Sequence, residues 1–396
     1  MKYLRLIPIA ILAITFISPK NAEAQIDNDN ITETILRKQI TEGARVIMTG
    51  VPVLLIAPDS RAGSMGDVGA ASTPDGNSIH WNAAKLAFAE NQTGLTFTYT
   101  PWLRDLVGDI SLMYLAGYYK LDDRSALGGS LTYFSLGGIN FFSEEGQDMG
   151  NFKPNEFALD LAYTMKLSDY FSASVTGRYI RSDLTQGQNV GTTATKAANS
   201  AATDIGLYYQ RDIDQASEYA IGMQISNLGA KISYSDNMEK SFLPANLRLG
   251  GRYTMDFDQF NKLSMMLDIN KLLVPTPAVY DSVGDIVAGM NPNVGILQGA
   301  IQSFYDAPNG FKEEMQEIML SAGLEYTYNK FLYLRGGYFY ESDKKGGRQY
   351  ATFGGGFKYN VMSLDIAYLV PTVANNHPLK NTLRLSLTFD LSPTKK

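Results

Sequence analysis

The sequence of 396 residues contains no cysteine and only two histidines, and its formal net charge is only −6. Without cysteine the chain cannot form a disulfide, so a small disulfide-stapled fold is excluded. Two histidines without a thiol give no basis for a metal site, and no cofactor is predicted. The 34 basic residues are dispersed along the chain, so nothing indicates a nucleic-acid partner.

Long apolar runs are also missing, except near the start. Residues 1–24 combine two early basic residues, an apolar run over 6–17 and the small-x-small triplet Ala22-Glu23-Ala24. This is the layout of a secretory signal peptide, with cleavage before Gln25. The run is shorter than the roughly 20 residues of a spanning helix, which argues against a membrane anchor. We therefore predict an exported protein without a transmembrane helix.

The sequence is rich in glycine and tyrosine, and its side-chain period is two. It contains 36 Gly and 24 Tyr, and apolar and polar residues alternate almost everywhere after Thr93. Near the end, Leu383, Leu385 and Leu387 share one face of a segment whose other face carries Arg384. This alternation predicts β-strands with one apolar and one polar face.

The connections between these strands indicate how they are arranged. Short turns alternate with long loops, and about 14 strands are predicted, which is typical of an outer-membrane barrel with periplasmic turns and extracellular loops. We therefore predict an all-β fold, a transmembrane antiparallel outer-membrane β-barrel over 93–396. The predicted strands are 93–103, 108–121, 124–138, 155–168, 170–184, 199–212, 217–235, 244–257, 260–274, 315–328, 331–342, 347–359, 361–371 and 380–391.

The polar faces of the strands carry charges of both signs. In a closed barrel these side chains would face the lumen, where they must pair because an unpaired buried charge is costly. The predicted lumen charge network is Asp160, Arg178, Arg248, Arg252, Asp268, Glu325, Arg335, Asp365 and Arg384.

Three segments outside the strands carry further predictions. In loop 275–314, apolar residues recur at helical spacing from Val294 to Phe304, which predicts a short extracellular amphipathic helix. That helix would either fold onto the barrel rim or dock a partner. Residues 25–50 are charged and mixed, and we assign them to an N-terminal periplasmic extension. The run Gly354-Gly355-Gly356 predicts a bulge or kink in the twelfth strand.

Residues 52–88 contain four sequence blocks in a fixed order. The blocks are Pro58-Asp59-Ser60-Arg61-Ala62-Gly63, Met65-Gly66-Asp67-Val68-Gly69, Pro74-Asp75 and His80-Trp81-Asn82-Ala83-Ala84-Lys85-Leu86-Ala87. In these blocks the chain resembles the N-terminal signature of the PorV (LptO) family, Bacteroidetes outer-membrane proteins of the type IX secretion system. Weaker similarity to FadL-like barrels continues towards the C-terminus, although that wider group usually has Asn-Pro-Ala where this chain has Asn82-Ala83-Ala84.

The resemblance implies a barrel whose lumen holds an N-terminal hatch, which we assign to residues 51–92. The small residues of 62–76 suit a segment that threads through a filled lumen, because glycine permits tight bends and close approach. The polar atoms of the hatch would pair with the lumen charges. The predicted hatch residues are Asp59, Arg61, Gly63, Met65, Gly66, Asp67, Asp75, Asn77, His80, Trp81 and Asn82.

No set of residues suggests catalysis, and the protein is not predicted to be an enzyme. His80 lies in the hatch and His377 in the last long loop, so neither is on a predicted strand. The segment Ala62-Gly63-Ser64-Met65-Gly66 lacks the first glycine and the strand–turn–helix context of a nucleophile elbow.

Two functions remain open. The resemblance implies a secretion shuttle that binds a large translocon barrel protein, accepts secreted cargo by its C-terminal domain and delivers it to a sortase-like protein of the attachment complex. Its working surface would be the loops 139–154, 184–198 and 275–314, and its wall would contact outer-membrane lipid or lipopolysaccharide. The alternative is a FadL-like transporter of hydrophobic small molecules. The polar lumen argues against it, whereas the apolar lumen candidates Met266, Met319 and Phe339 keep it open.

Overall fold

The structure, a computed structural model, describes residues 38, 40, 43–102, 109–142, 146, 148–189, 193–236, 239–373 and 382–391. The predicted signal peptide, most of the 25–50 segment and His377 lie outside the described residues.

Fourteen strands form one closed antiparallel barrel in which each strand pairs with its neighbours in the sequence and the last strand closes on the first. Each predicted strand is present, with bounds that differ by a few residues, so the predicted fold class is confirmed. The strands are β1 Thr93–Pro101, β2 Ser111–Lys120, β3 Ser125–Ser135, β4 Asn155–Lys166, β5 Phe171–Asp183, β6 Ala198–Asp212, β7 Ser217–Gly229, β8 Asn246–Asp256, β9 Asn261–Leu272, β10 Ile318–Tyr328, β11 Leu332–Tyr340, β12 Gln349–Tyr359, β13 Met362–Pro371 and β14 Leu383–Leu391.

Short turns lie at one end of the barrel and long loops at the other. We call these the short-turn end and the long-loop end; in outer-membrane barrels they face the periplasm and the cell exterior. Side-chain hydrogen bonds and left-handed backbone conformations within the turns close them. Asp122 and Asp258 each accept hydrogen bonds from the backbone N–H groups two and three residues further on. Asn360 has a φ of 54°, a left-handed conformation that asparagine tolerates in tight turns.

The period of two places polar side chains inside the barrel and large apolar side chains outside. In β14, Arg384 and Ser386 are buried, whereas Leu385 is exposed on the outer face. Around the ring the outward side chains form an apolar belt, as a wall in contact with lipid requires. None of the described helices is long and apolar enough to cross a membrane.

Short helices lie in the N-terminal segment and in the longest loop. The N-terminal segment contains α1 (Ser60–Gly63), α2 (Ser78–Asn82) and two 3₁₀ helices, Pro52–Leu55 and Ala83–Phe88. The longest loop contains α3 (Ile296–Gln302) and α4 (Phe311–Gln316). The predicted amphipathic helix is therefore present as α3. Small hairpins lie in two loops, Ile139–Phe142 with Asp148–Phe152 and Val279–Tyr280 with Ile286–Ala288.

The barrel wall is irregular at a place that the sequence did not indicate. The predicted bulge at the three glycines is wrong, because β12 pairs with both neighbours without a register shift. Instead, the register between β6 and β7 shifts between Thr203 and Ile205. Opposite this shift Asn227 has a φ of 58°, and its backbone N–H donates to Asp204 over 2.7 Å.

Candidate functional site

Residues 50–89 run through the barrel from one end to the other, and we call them the plug. At the long-loop end, the Gly50 N–H donates to the Phe242 carbonyl over 2.8 Å. At the short-turn end, the Lys120 Nζ donates to the Ala89 carbonyl over 2.9 Å. Between these points most plug residues are buried. The predicted hatch residues therefore lie inside the lumen.

Glycines on the inner wall give the plug its space. A Cβ added to Gly337 of β11 would lie 2.1 Å from the carbonyl carbon of Met65. On β12, a Cβ at Gly354 would lie 2.5 Å from the Ser64 Cβ, so this glycine serves the plug and not a bulge. Because the backbone of the plug touches the wall at such points, any larger residue there would displace it.

Asp59 joins the two halves of the plug. It caps α1 by accepting from the Ala62 N–H over 2.9 Å, as aspartate commonly does at a helix start. Its other oxygen accepts from the Trp81 indole over 2.6 Å. The first and last signature blocks are thus bonded to each other, 22 residues apart in sequence.

Arg61 attaches the plug to the wall through a group of ion pairs that we call the lumen cluster: Arg61, Glu325, Arg335 and Asp365. Arg61 donates twice to Glu325 of β10, over 3.0 and 2.9 Å. Arg335 of β11 donates to the same carboxylate over 2.7 Å and to Asp365 of β13 over 2.5 Å. Arg61 also pairs with Asp75 of the plug at 3.0 Å. Arg61 of the plug therefore extends a row of ion pairs that links three strands of the wall.

Arg178 is the centre of a second ionic group within the wall itself. It donates to both oxygens of Asp160, over 2.6 and 2.9 Å. It also pairs with Asp204 at 3.1 Å and hydrogen bonds Asn227 at the bulge. Asp160 and Arg178 are predicted lumen charges, whereas Asp204 and Asn227 were not predicted; together the four side chains hold β4 to β7 together.

The backbone of the plug at residues 69–71 bonds to two further predicted lumen charges. Asp268 accepts from the N–H groups of Gly69 and Ala70, over 2.7 and 2.9 Å. Arg252 donates to the Ala71 carbonyl over 2.9 Å and also pairs with Glu218. Both strands β8 and β9 therefore hold the same bend of the plug.

Arg248 and Arg384, the remaining lumen charges, make aromatic or longer ionic contacts with the plug. The Arg248 guanidinium lies 4.3 Å from the Trp81 ring, a cation–π contact, and the His80 ring packs edge-on to Trp81 at 4.8 Å. Asp67 accepts from the Tyr350 hydroxyl over 2.5 Å and lies 3.8 Å from Arg384.

The remaining predicted plug residues have local roles. Met65 packs against Val68 and Met266 of the wall. Gly66, with a φ of 69°, donates its N–H to Thr352 over 2.8 Å. Gly63 lies so close to Arg384 that an added Cβ would be 2.5 Å from its guanidinium nitrogen.

Two asparagines organise the second half of the plug. The Asn77 N–H donates to Asp75 over 2.9 Å. Asn82 accepts from the Ala84 N–H over 3.1 Å and donates to the Ala70 and Leu207 carbonyls. Asn82 thus caps the following 3₁₀ helix, which is a local reason for asparagine at this position.

Lys85 is a functional residue of the plug that our site prediction did not include. Its side chain is completely buried, and its Nζ donates to the Gly69 carbonyl over 2.7 Å and to Ser72 over 2.8 Å. The available signal was its position inside the fourth signature block, where the surrounding residues are small and apolar.

The start of the plug fills an apolar part of the lumen near the long-loop end. Val51, Val53 and Leu54 belong to one buried cluster with Leu112 of β2 and Ile180 of β5. Below the plug, a cavity of about 600 Å³ opens at the short-turn end, and charged side chains of both signs line it, among them Arg61, Glu325 and Arg335. The lumen near the long-loop end is thus filled by the plug, and the lumen near the short-turn end is a polar cavity.

A third ionic group lies at α4, outside the predicted sites. We call it the platform cluster: Arg45, Lys271, Glu313, Glu314, Glu317 and Lys345. Lys271 pairs with Glu317 at 2.6 Å and with Glu314 at 3.1 Å. Lys345 pairs with Glu313 at 2.7 Å and with Glu317 at 2.8 Å. All three carboxylates are buried.

The contacts of Arg45 correct the predicted position of the N-terminal extension. Its guanidinium donates to Glu313 over 2.8 Å, and its backbone N–H donates to the Lys344 carbonyl over 3.1 Å. Both partners lie at the long-loop end. The described residues 43–50 therefore lie at that end and not in the periplasm, because the plug enters the barrel from the side of the long loops.

Comparisons with solved structures found proteins that are similar to this chain at low sequence identity. In the toluene transporter TodX of Pseudomonas putida, 99% of the chain aligns with 86% of this one, at 15% identity and a TM-score of 0.47. The toluene transporter TbuX of Ralstonia pickettii aligns over 98% of its chain and 85% of this one, at 14% identity and a TM-score of 0.47. A FadL homologue of Pseudomonas aeruginosa aligns over its whole chain and 88% of this one, at 11% identity and a TM-score of 0.44. The comparison with curated proteins found no match.

A family model identifies the family of the chain. The model described as "Type IX secretion system protein PorV" matches residues 39–279, which is more than half of the chain and includes the plug. The predicted resemblance is thereby confirmed. The chain therefore belongs to the PorV family and is an outer-membrane component of the type IX secretion system.

Proposed function

We propose that the protein is a shuttle of type IX secretion. It binds the large translocon barrel, accepts exported cargo by its C-terminal signal domain and delivers the cargo to the sortase-like protein of the attachment complex. The observation that carries this proposal is a set of exposed apolar side chains on α3, just after it and on α4, at the long-loop end, which we call the platform surface: Leu297, Ile301, Phe304, Phe311 and Met315.

The platform surface is unusually exposed for large apolar side chains. Leu297 is 67% exposed, Ile301 65% and Phe304 50%. Neighbouring exposed apolar side chains of this kind mark protein interaction sites. The helix thus presents its apolar face to the outside, which favours the docking role over the rim-packing role that the sequence left open.

The platform cluster supplies a rigid base for this surface. Glu313 and Glu314 lie on α4, and their buried pairs with Lys345 and Lys271 tie that helix to the rim of the barrel. Thr276, at the start of the loop, donates to Glu317 over 2.5 Å and anchors the other end. A surface that is already ordered loses less conformational entropy when a partner binds.

The plug supports a function at the surfaces of the barrel. We propose that it is a fixed hatch over residues 51–92, held by the lumen cluster, in a chain made of a signal peptide (1–24), this hatch and the barrel (93–396). The side chains that it buries are structural, and we propose no catalytic role for them. The outward apolar belt would contact outer-membrane lipid or lipopolysaccharide.

A FadL-like transporter of hydrophobic small molecules is the second candidate, and one observation favours it. Met319, Phe339, Tyr350 and Leu369 form an apolar cluster on the inner wall. However, the Phe339 and Tyr350 rings stack on each other at 4.9 Å, so a ligand would first have to separate them.

The proposal is tested by purifying the tagged protein from its native outer membrane in gentle detergent and identifying the bound proteins and lipids by mass spectrometry. We expect a very large barrel protein, or exported proteins that share a C-terminal domain. A double variant, Leu297→Ser with Ile301→Ser, should lose the cargo. Val283→Ser is the matched control, since Val283 is even more exposed in the same loop but lies outside the platform surface.

Two outcomes contradict the proposal. Recovery of the protein alone with a stoichiometric apolar molecule would favour the transporter. Equal cargo recovery from the double variant and from the control would remove the platform surface from the proposal.

A further inference from the structure

One part of the outward wall differs from the rest of the apolar belt. In the half of β6 nearest the long-loop end, the outward residues are Asn199, Ala201 and Thr203, and all are exposed. Among the neighbouring outward residues on β5, Tyr179 pairs with Ala201 and Arg181 with Asn199, and Gly177, which has no side chain, pairs with Thr203. Every other barrel strand carries at least one large apolar residue in the same half. We call Gly177, Asn199, Ala201 and Thr203 the β5–β6 face.

The β5–β6 face is a shallow depression beside a projecting side chain. A Cβ added to Gly177 would meet no atom within 4 Å, so packing inside the protein does not require glycine there. On the other side of Gly177, its partner on β4 is Leu161, which is 68% exposed because the glycine leaves one flank open. Small residues in a membrane-embedded surface allow another protein to approach closely.

Two side chains of this face have hydrogen-bonding groups with no partner in the described part of the chain. The Asn199 side-chain oxygen accepts from the Tyr179 hydroxyl over 2.7 Å, but no described residue accepts from its amide group. Similarly, no described residue hydrogen bonds the Thr203 hydroxyl. At the upper edge, the partly exposed Arg181 guanidinium has a weak ion pair with Asp183 at 3.5 Å. Lipid tails cannot accept hydrogen bonds, so such groups are costly when they face hydrocarbon.

We propose that the β5–β6 face binds the wall of a second membrane-embedded barrel protein in the outer leaflet. The groups on this face and its edge are hydrogen-bond donors, so the complementary wall presents acceptor oxygens at the depth of Asn199 and Thr203 and a side chain that enters the depression at Gly177. This inference rests on the proposed function, because it assigns the strands against which the translocon packs. Lipopolysaccharide phosphates match Arg181 at the edge but not Thr203, which lies deeper in the belt.

The test is photocrosslinking in native cells, with p-benzoylphenylalanine placed at Thr203. The matched control position is Ile366 on β13, an outward residue on the strand opposite β6 in the ring. We expect Thr203 to give a discrete adduct with a heavier membrane protein and Ile366 to give none. Lipid adducts alone at Thr203, no adduct there, or the same protein adduct at both positions would overturn the proposal.

A second measurement separates this proposal from the shuttle itself. The double variant Ala201→Leu with Thr203→Leu should assemble with wild-type heat-modifiable mobility but recover at least tenfold less of the large barrel protein. If the wild type recovers that protein and the variant recovers it equally, the β5–β6 face is wrong and the shuttle stands. If the wild type recovers no large barrel protein, the shuttle proposal fails. The crosslinked adduct at Thr203 then tests the β5–β6 face by itself. The adduct also decides if the variant does not assemble.

Discussion

The lumen cluster and the platform cluster are both buried groups of ion pairs, but they are built differently. In the lumen cluster, Glu325 pairs with Arg335 directly across two adjacent strands. In the platform cluster, Lys271 reaches Glu317 over 46 residues of sequence, and Arg45 reaches Glu313 over 268. The wall residues of the lumen cluster follow from the strand ladder, and Arg61 joins them from the plug, 264 residues away from Glu325. The platform cluster depends on where the N-terminal segment, the longest loop and the loop after β11 meet the end of β9.

This difference has a consequence for what each cluster stabilises. The lumen cluster joins the plug to three strands, so its loss should affect the plug and the barrel together. The platform cluster joins loop helices to the rim, so its loss should remain local. The following predictions separate these two behaviours.

The largest effect is expected for Glu325→Ala. This change leaves Arg61 and Arg335 buried without their shared carboxylate, and removing one partner of a buried pair costs about 3–5 kcal/mol. We expect a lower heat-modification temperature of the barrel and trypsin cleavage at Arg61. Glu218→Ala is the control, since Glu218 pairs with Arg252 at the more open rim. Equal losses in both variants would show that the lumen cluster has no special role.

A smaller and confined effect is expected for Glu317→Ala. Lys271 and Lys345 lose the carboxylate that they share, so the platform should loosen while the barrel keeps its heat-modification temperature. The measurement is trypsin cleavage at Lys312, which lies exposed on α4. Asp285→Ala, in the exposed hairpin of the same loop, should leave this cleavage unchanged. A lower heat-modification temperature of the barrel in Glu317→Ala would mean that the two clusters are coupled.

The platform should also respond to pH in two opposite ways. Asp306 lies between α3 and α4 and accepts from the Thr276 N–H over 3.1 Å, which joins this turn to the start of the loop. Burial raises the pKa of Asp306 to about 6 from its ordinary 3.8. A raised carboxyl pKa contributes stability that is fully present below 3.8 and is lost as the pH rises through about 6. Burial alone would also raise the pKa of Glu313, but hydrogen bonds from Arg45 and Lys345 outweigh it and lower the pKa to about 2. Its stability contribution is therefore present above 4.5 and is lost as the pH falls through about 2.

A spin label at Lys312→Cys tests this dependence in a chain that has no other cysteine. We expect the label to be least mobile between about pH 4 and 5, where both contributions are favourable. Asp306→Asn should abolish the difference in label mobility between neutral pH and pH 5 but keep the rise in mobility at acidic pH. A label whose mobility rises steadily as the pH falls from 7 would contradict the assignment of Asp306.

The last prediction concerns topology and should not change stability. Because Arg45 joins the platform cluster, the exposed residue Met48 lies at the long-loop end. We expect Met48→Cys to react with a membrane-impermeant maleimide on intact cells. Gln215→Cys, in a turn at the short-turn end, should react only after the outer membrane is opened. The reverse pattern would put the N-terminal segment back in the periplasm.

Much of the barrel could be predicted from the sequence because strands have a regular period. The inward position of Arg178, Asp268 and Glu325 follows from counting alternate residues in each strand. The same count did not reveal why β12 contains a glycine run: a Cβ at Gly354 would meet the Ile366 carbonyl of β13 and Ser64 of the plug, and a Cβ at Gly356 would meet Asp365. It also gave no sign of Lys85 as a hydrogen-bonding residue, since its acceptors come from a bend 16 residues earlier.

By itself, the sequence determined the strands, their order and the polar nature of the lumen, because alternation and turn chemistry are local properties of the chain. Its signature blocks also determined the family. Only the tertiary structure decided that the plug enters from the long-loop end, that Arg61 completes the lumen cluster and that the platform cluster exists. These contacts join residues that are far apart in sequence, and no local period connects them; they form only after the ring has closed and has brought its loops and inner wall together.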